Sequence, residues 1–371
     1  MNNYLLWDEF IEKTSSSQLI KDVEFLKYIK ENNKRKILIV GTNEEGITAI
    51  NYLNELGFKV SYYFSLDNNT TNIPDDIKII TKEELANYKE YVVILSSTSD
   101  LIQSARNTLL GFLIVLELCP VIQYDKGKTL IARNNKEGIE KFFNVYNLLN
   151  DEESKSIYLK ILYHRMVGGA FFPISNYDQY FHQRISIKDN YHIIDGGAYD
   201  GDTAVKFAKS NSSNIRIFSF EPSTILFDRL SKNVVNKNLS EIVEEYNLGL
   251  WKERDNLVFD STLDLGSQKI SRVGRNVIEV ISIDEFVEKK KLERLDYIKL
   301  DIEGAEYEAL LGSEVAIKNY NPLLAICLYH EAEHLWDIPL LINKFNQEYT
   351  FYLGHHCNLP YETILYAIPN K

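Results

Sequence analysis

The sequence predicts two α/β units in series, the later one built on a seven-stranded sheet. Three observations predict this. Short runs of Ile, Val, Leu and Phe alternate with segments of helical periodicity, the pattern of parallel strands covered by helices. Several of these runs stop at a glycine-rich or acidic turn that opens a helix. The alternation is interrupted once, over 124–190, where no clear strand series occurs.

Residues 1–35 form an N-terminal helical segment, since Leu19, Val23, Leu26 and Ile29 fall near helical spacing within 4–33. The smaller unit covers 36–123. It opens with the strand Lys36-Ile37-Leu38-Ile39-Val40, and Gly41-Thr42-Asn43-Glu44-Glu45-Gly46 then turns into a helix running to Leu56. Strands follow at Lys59–Phe64, closing at Leu66-Asp67, at Tyr91–Leu95 and at Phe112–Leu116. The helical linker at 124–190 holds helices over Lys136–Leu149 and Glu153–Met166. Asp151 is placed to cap the second, and Gly168-Gly169 ends it. In 191–371, strands are expected at 191–195, 215–220, 242–248, 296–301, 323–329, 349–353 and 363–368. Residues 255–282 read as an excursion with β character between the third and fourth of them.

Composition narrows the function. The chain has 371 residues, 45% apolar and 25% charged, enough for a sizeable core in each unit of a soluble globular protein. A net charge of −12 counts against a nucleic-acid binder or an anionic-membrane binder, because the surface repels phosphate. No basic, apolar leader is visible at the N-terminus. The longest apolar run, Leu109–Leu116, falls far short of the about 20 residues of a membrane span. Cys119, Cys327 and Cys357 are scattered, so free thiols and a reducing cytoplasm are expected.

Three motifs mark a ligand site. Ile193-Ile194-Asp195-Gly196-Gly197-Ala198-Tyr199-Asp200-Gly201-Asp202-Thr203 is a buried strand, a glycine turn and a helix start. Such a turn lets a ligand reach the backbone and its helix N-terminal N–H groups. Its Asp195-x-Gly197-x-x-x-Gly201 spacing differs from the G-x-G-x-x-G of a dinucleotide site, which counts against an NAD-dependent sugar enzyme. An acid ahead of the glycines suits a cationic ammonium or sulfonium and repels a pyrophosphate. Phe218-Ser219-Phe220-Glu221-Pro222 ends the next strand in an acid 20 residues after Gly201, where such a fold sets a carboxylate on ribose hydroxyls. Tyr297-Ile298-Lys299-Leu300-Asp301-Ile302-Glu303-Gly304-Ala305-Glu306 again closes a strand with acids at the ligand edge. Asp301 is expected to be functional there, and Glu306 to be an acid favoured in a first helical turn.

Together with Tyr246-Asn247-Leu248-Gly249-Leu250 and Ile326-Cys327-Leu328-Tyr329-His330-Glu331, these stretches resemble the FkbM family of S-adenosylmethionine-dependent methyltransferases, over roughly 150–371. The resemblance implies a seven-stranded class I methyltransferase sheet of Rossmann-like type. It implies that Asp195, Gly197 and Gly201, with Ala198 and Thr203 in the same turn, line the methionine part of the cofactor. Glu221, beside Pro222, would hold the ribose, and Asn247 and Leu248 would lie near the adenine. Gln179-Tyr180-Phe181 is similar to a family segment that closes over the cofactor. The chain departs from the family at His334, often an acid there, and at Gly354, often basic.

Methyl transfer needs the acceptor oxygen in line with the methyl carbon and a base or metal to take its proton. His330 ends the fifth strand, while His355 and His356 fall in the loop joining the sixth and seventh. In the implied sheet all three could converge on the methyl group. Asp301 and His330 are the candidates should a divalent metal be used. The string His330-Glu331-Ala332-Glu333-His334 matches H-E-x-x-H, but it follows a strand and lacks a third ligand, against zinc proteolysis. In the smaller unit, Gly41–Gly46 with Asp67 is a weak nucleotide-site pattern, similar to small Rossmann-like domains ahead of sugar-modifying enzymes. Packing or homodimerisation is the competing role. The expected function is an S-adenosylmethionine-dependent O-methyltransferase acting on a sugar hydroxyl of a bacterial surface glycan or its activated precursor. The alternative is a non-catalytic nucleotide-sugar-binding module of a glycan pathway.

Overall fold

A computed structural model of the chain describes residues 35–55, 57–96, 109, 112, 114–117, 136–167, 174–210, 213–260, 269–270, 276–357 and 361–370. The helix expected over 4–33, the Gly168-Gly169 pair and Cys119 lie outside these residues. The described residues fall into two compact units, one within 1–140 and 158–172, the other within 141–157, 173–357 and 361–371.

The first unit runs β1 (Ile37–Gly41), α1 (Asn43–Glu55), β2 (Val60–Ser65), β3 (Lys78–Ile79), β4 (Val92–Ser96) and β5 (Ile114–Glu117). Its five strands pair in the order β3-β2-β1-β4-β5, all parallel. β1 is buried throughout, which is why its sequence is an unbroken apolar run rather than an alternation. Leu38, Val40, Ile80, Leu85 and Val93 pack into one cluster of its core.

Helices α2 (Lys136–Leu148) and α3 (Glu152–Val167) follow. The Asp151 carboxylate accepts from the Ser154 N–H at 2.8 Å, the side-chain cap expected from the sequence. The second unit continues β6 (His192–Gly196), α4 (Asp202–Ala208), β7 (Arg216–Phe220), α5 (Thr224–Asn236), β8 (Val243–Tyr246), β9 (Gly249–Leu250), β10 (Asp255–Asp260), β11 (Lys269–Ile270), β12 (Asn276–Ile281) and α6 (Ile283–Lys290). It closes with β13 (Tyr297–Leu300), α7 (Glu306–Leu311), α8 (Glu314–Tyr320), β14 (Leu323–Cys327), α9 (His334–Phe345), β15 (Tyr349–His355) and β16 (Thr363–Pro369).

Seven strands make the main sheet, in the order β15-β16-β14-β13-β6-β7-β8, with β16 antiparallel to both its neighbours. This is the expected sheet. The reversal in strand order beside β6 opens a crevice at the C-terminal ends of β6, β7 and β13, the place where open α/β sheets take ligands. The excursion at 255–282 is a separate small sheet, β11-β10-β12-β9. Among the described residues no helix is long and apolar enough to cross a membrane. Of the described cysteines, Cys327 is buried and Cys357 half-buried.

Candidate active site at the edge of the second sheet

A cavity of about 540 Å³ occupies that crevice. Of the residues expected to bind the cofactor, Gly197, Thr203, Glu221, Pro222, Leu248, Asp301, Gln179 and Tyr180 line it. Leu226, Leu248, Leu250 and Ile278 give it an apolar side. Asp200, Asp202, Glu221, Asp301, Glu303 and Glu362 give it an acidic one.

The floor is set by strand register. β13 lies beside β6 so that Lys299 pairs with Asp195 and Leu300 with Gly196. Lys299, 1% exposed, meets the fully buried Asp195 carboxylate at 3.1 Å. Its ammonium also donates to the Gly196 carbonyl at 3.0 Å and the Gly197 carbonyl at 2.7 Å. Burial works against the Lys299 charge, but Asp195 and Asp301 outweigh it and hold the ammonium protonated. This corrects the reading of Asp195 as a partner for a cationic ligand. Its carboxylate faces an internal cation, and the pair staples the glycine turn from below. The turn needs glycine at 197, where φ is +71° and a Cβ would lie 1.7 Å from the Asp301 carbonyl. Ala198 is buried, and neither it nor Gly201 lines the cavity.

Glu221 ends β7 and reaches back over the same turn. One of its oxygens accepts the Tyr199 N–H at 3.0 Å, the other the Ser223 N–H at 2.8 Å. Burial pushes its carboxyl up to about 7 against those two bonds. Asn247 does not line the cavity. Its amide donates to the Glu221 and Pro222 carbonyls at 2.9 and 3.1 Å, which fixes the turn that presents Glu221.

Asp301 ends β13 under two phenols. The Tyr180 hydroxyl donates to one oxygen at 2.7 Å and the Tyr329 hydroxyl to the other at 2.9 Å. Gln179 donates to the Tyr180 hydroxyl at 3.0 Å. Burial raises the Asp301 carboxyl, yet Lys299, His330 and the Tyr180 hydroxyl outweigh it and hold it below the ordinary range.

His330 stands behind this wall and does not line the cavity. Its Nδ1 lies 2.8 Å from the Glu306 carboxylate, and its Nε2 lies 3.5 Å from both Asp301 and Glu303. Burial favours the neutral ring, but the three carboxylates outweigh it and lift the imidazole to about 9. Set behind the wall with a carboxylate at each nitrogen, the ring is not presented to the cavity, which differs from its expected place as base. Glu306 is likewise no solvated helix-start acid. It is fully buried, accepts the Ile302 N–H at 2.8 Å and lies 3.3 Å from His334 Nδ1. The H-E-x-x-H string thus has both histidines on one carboxylate, with His330 ahead of the helix that His334 opens.

His355 and His356 are not brought to the cavity. His355 is the last residue of β15, fully buried, with Nδ1 2.9 Å from the Thr363 hydroxyl. His356 Nε2 lies 3.0 Å from the Tyr366 hydroxyl, and its ring meets Tyr177 edge-on. Nor is there room for a basic side chain at Gly354, whose Cβ would fall 2.6 Å from the Tyr177 hydroxyl.

Asp301, Glu306 and His330 bring ligand-type atoms within 4.8 Å of one another. They do not fit a divalent cation, because both Asp301 oxygens already accept phenol hydroxyls and Glu306 faces two histidines. In the first unit, Asp67 accepts the Asn43 N–H at 3.0 Å and the Ser65 hydroxyl at 2.7 Å. The Tyr63 ring fills the space over Gly46, where a Cβ would lie 2.4 Å from it. Asp67 therefore starts a helix, and the space over the glycine turn is taken by a side chain.

Residues 195–363 match the model of the methyltransferase FkbM domain. The chain is similar to hexuronic acid methyltransferase AglP of Haloferax volcanii, at 29% identity over 158 residues. That match covers 40% of this chain and 64% of the relative, less than two thirds of its length. It is also similar to the crystal structure of methyltransferase FkbM from Methylobacillus flagellatus, with a TM-score of 0.70 and 18% identity, covering 97% of this chain and 98% of that one. At that identity the likeness speaks for the fold.

Proposed function

We propose, from the match of residues 195–363 to the methyltransferase FkbM domain, that the chain is an S-adenosylmethionine-dependent O-methyltransferase whose acceptor is a sugar hydroxyl of a glycan or its activated precursor. The observation that carries this reading is Glu221, held by two backbone N–H groups at the ribose position beside a glycine turn, in a cavity acidic on one side and apolar on the other. The acidic side suits a sulfonium and an ammonium, and the apolar side a purine. Glu221 accepts ribose hydroxyls, Leu248 and Leu250 border the base, and Gln179 and Tyr180 close the wall above Asp301. The bound cofactor supplies an electrophilic methyl carbon. The chain orients it and keeps water off. The sugar acceptor rests on the hexuronic acid named for the relative.

Calorimetry with S-adenosylhomocysteine tests the cofactor part. The wild-type protein binds it, and Glu221→Ala weakens binding by tenfold or more, the loss of a charged hydrogen bond of about 1.5–3 kcal/mol. Unchanged affinity in Glu221→Ala would remove Glu221 from the site. Transfer of labelled methyl to a panel of hexuronic, neutral and amino sugars tests the acceptor. Tight cofactor binding with no transfer would favour the non-catalytic module.

A further inference from the structure

We propose that Glu303 is the catalytic base, the carboxylate that takes the proton of the acceptor hydroxyl as the methyl group is transferred; this rests on the methyltransferase reading above. Among the described cavity acids at the ends of β7 and β13, Glu303 is the one whose carboxylate carries no hydrogen bond. Asp301 has a phenol hydroxyl on each oxygen. Glu221 has a backbone N–H on each. Glu306 is buried away from the cavity on His330. Among the described residues no hydrogen bond reaches the Glu303 carboxylate. It makes one contact, 3.5 Å from His330 Nε2, and its side chain is 34% exposed on the cavity wall.

The backbone holds it there. Glu303 has φ +54° and Gly304 φ +101°, two successive left-handed residues between the end of β13 and the start of α7. A non-glycine residue rarely adopts that conformation, and such strain collects where a side chain must be aimed. The turn brings Glu303 toward the cavity while Glu306, three residues on, faces the interior. His330 completes the device as a positioning residue, because its ring, anchored by Glu306, points Nε2 at Asp301 and Glu303 together.

Charge separates the two cavity acids of this loop. Asp301 is held below its ordinary range. Burial pushes Glu303 up to about 7, and Asp301, Glu306 and Glu221 add to that against the pull of His330. Tyr329, which faces it from the segment after β14, is held neutral, and Glu331 lies beside Gly304. Neighbouring carboxylates driven apart in this way divide the work, the weaker acid exchanging the proton. In the transfer the acceptor O–C bond forms as the C–S bond of the sulfonium breaks. The electron pair of that bond stays on sulfur, and the hydroxyl proton ends on Glu303.

The test compares wild type, Glu303→Gln and Glu303→Asp. Aspartate adopts left-handed backbone readily, so Glu303→Asp keeps the turn. All three are expected to bind S-adenosylhomocysteine within about threefold of each other by calorimetry, since Glu303 is not at the ribose. Infrared difference titration of the S-adenosylhomocysteine complexes should show one carboxyl fewer titrating near pH 7 in Glu303→Gln than in wild type, with the contribution of Glu221 common to both. With labelled S-adenosylmethionine kept saturating at every pH, so that the Glu221 dependence of binding does not enter, wild-type transfer to the sugar panel should fall as pH drops below about 7. Glu303→Gln should be slower by about 100-fold or more and lose that limb, and Glu303→Asp should recover part of the rate. Wild-type transfer rates in Glu303→Gln, or an infrared titration near pH 7 unchanged from wild type, would overturn the role of Glu303 alone. Absence of transfer by wild type to every sugar on the panel, with the homocysteine compound still bound, would overturn the sugar-hydroxyl reading and the role of Glu303 with it.

Discussion

At the scale of single residues, the proposed ribose contact of Glu221 would make cofactor affinity depend on pH. Its carboxyl is lifted to about 7 by burial, so it is charged above that pH and neutral below it. Only the carboxylate offers both oxygens as acceptors to two ribose hydroxyls. S-adenosylhomocysteine affinity, measured by calorimetry, is therefore expected to fall several-fold from pH 8 to pH 6, and Glu221→Gln should flatten that dependence. The place of Glu221 was legible in the sequence, because an acid that ends a strand one βα unit after a glycine turn has its position dictated by the topology. Lys299 was not. A lone lysine in Tyr297–Leu300 reveals its partner only when register sets it against Asp195. The same register sets Asp195, expected as a ligand contact, in a buried ion pair.

At the scale of elements, the joint between the end of β14 and the start of α7 has its own pH signature. His330, lifted to about 9 from an ordinary 6.5, contributes stability in full below about 6.5 and loses it as pH rises through 9. Burial alone would raise the Glu306 carboxyl, but His330 and His334 hold it below its ordinary 4.5, so its share is present above 4.5 and lost as acid protonates it. Chemical denaturation should find the pair at full strength between about pH 4.5 and 6.5, with a decline toward pH 9 that His330→Gln abolishes. Glu306→Gln takes from the buried His330 ring its nearest carboxylate, so it should cost about 3 kcal/mol in a urea titration. An unchanged midpoint would contradict this. This cluster escaped the sequence reading for a physical reason. Glu306 sits where first-turn acids are ordinary, and its burial arises from the packing of α7 near α9, which no local pattern encodes. His355 and His356 were misjudged for a related reason. The strand runs on to His355, so the side chain falls inside the sheet rather than in a loop. The seven strands themselves were legible, because each is a short apolar run closed by a turn or an acid.

At the scale of the whole molecule, the chain has two α/β units with a glycine turn in each, and the account assigns the ligand to the second. Asp67 of the first unit is taken up by the Asn43 N–H and Ser65. Asp67→Ala should therefore cost about 1 kcal/mol of stability, the scale of a lost helix cap, and leave S-adenosylhomocysteine affinity unchanged. A loss of affinity there as large as in Glu221→Ala would bring the first unit into the binding function.

The most direct measurement is a crystal structure of the protein grown with S-adenosylhomocysteine. The account predicts the ribose hydroxyls on Glu221, the purine against Leu248 and Leu250, and the sulfur turned toward Asp301 and Glu303. The compound bound at the Gly41–Gly46 turn instead, or a crevice that stays closed by its own side chains at saturating ligand, would contradict it.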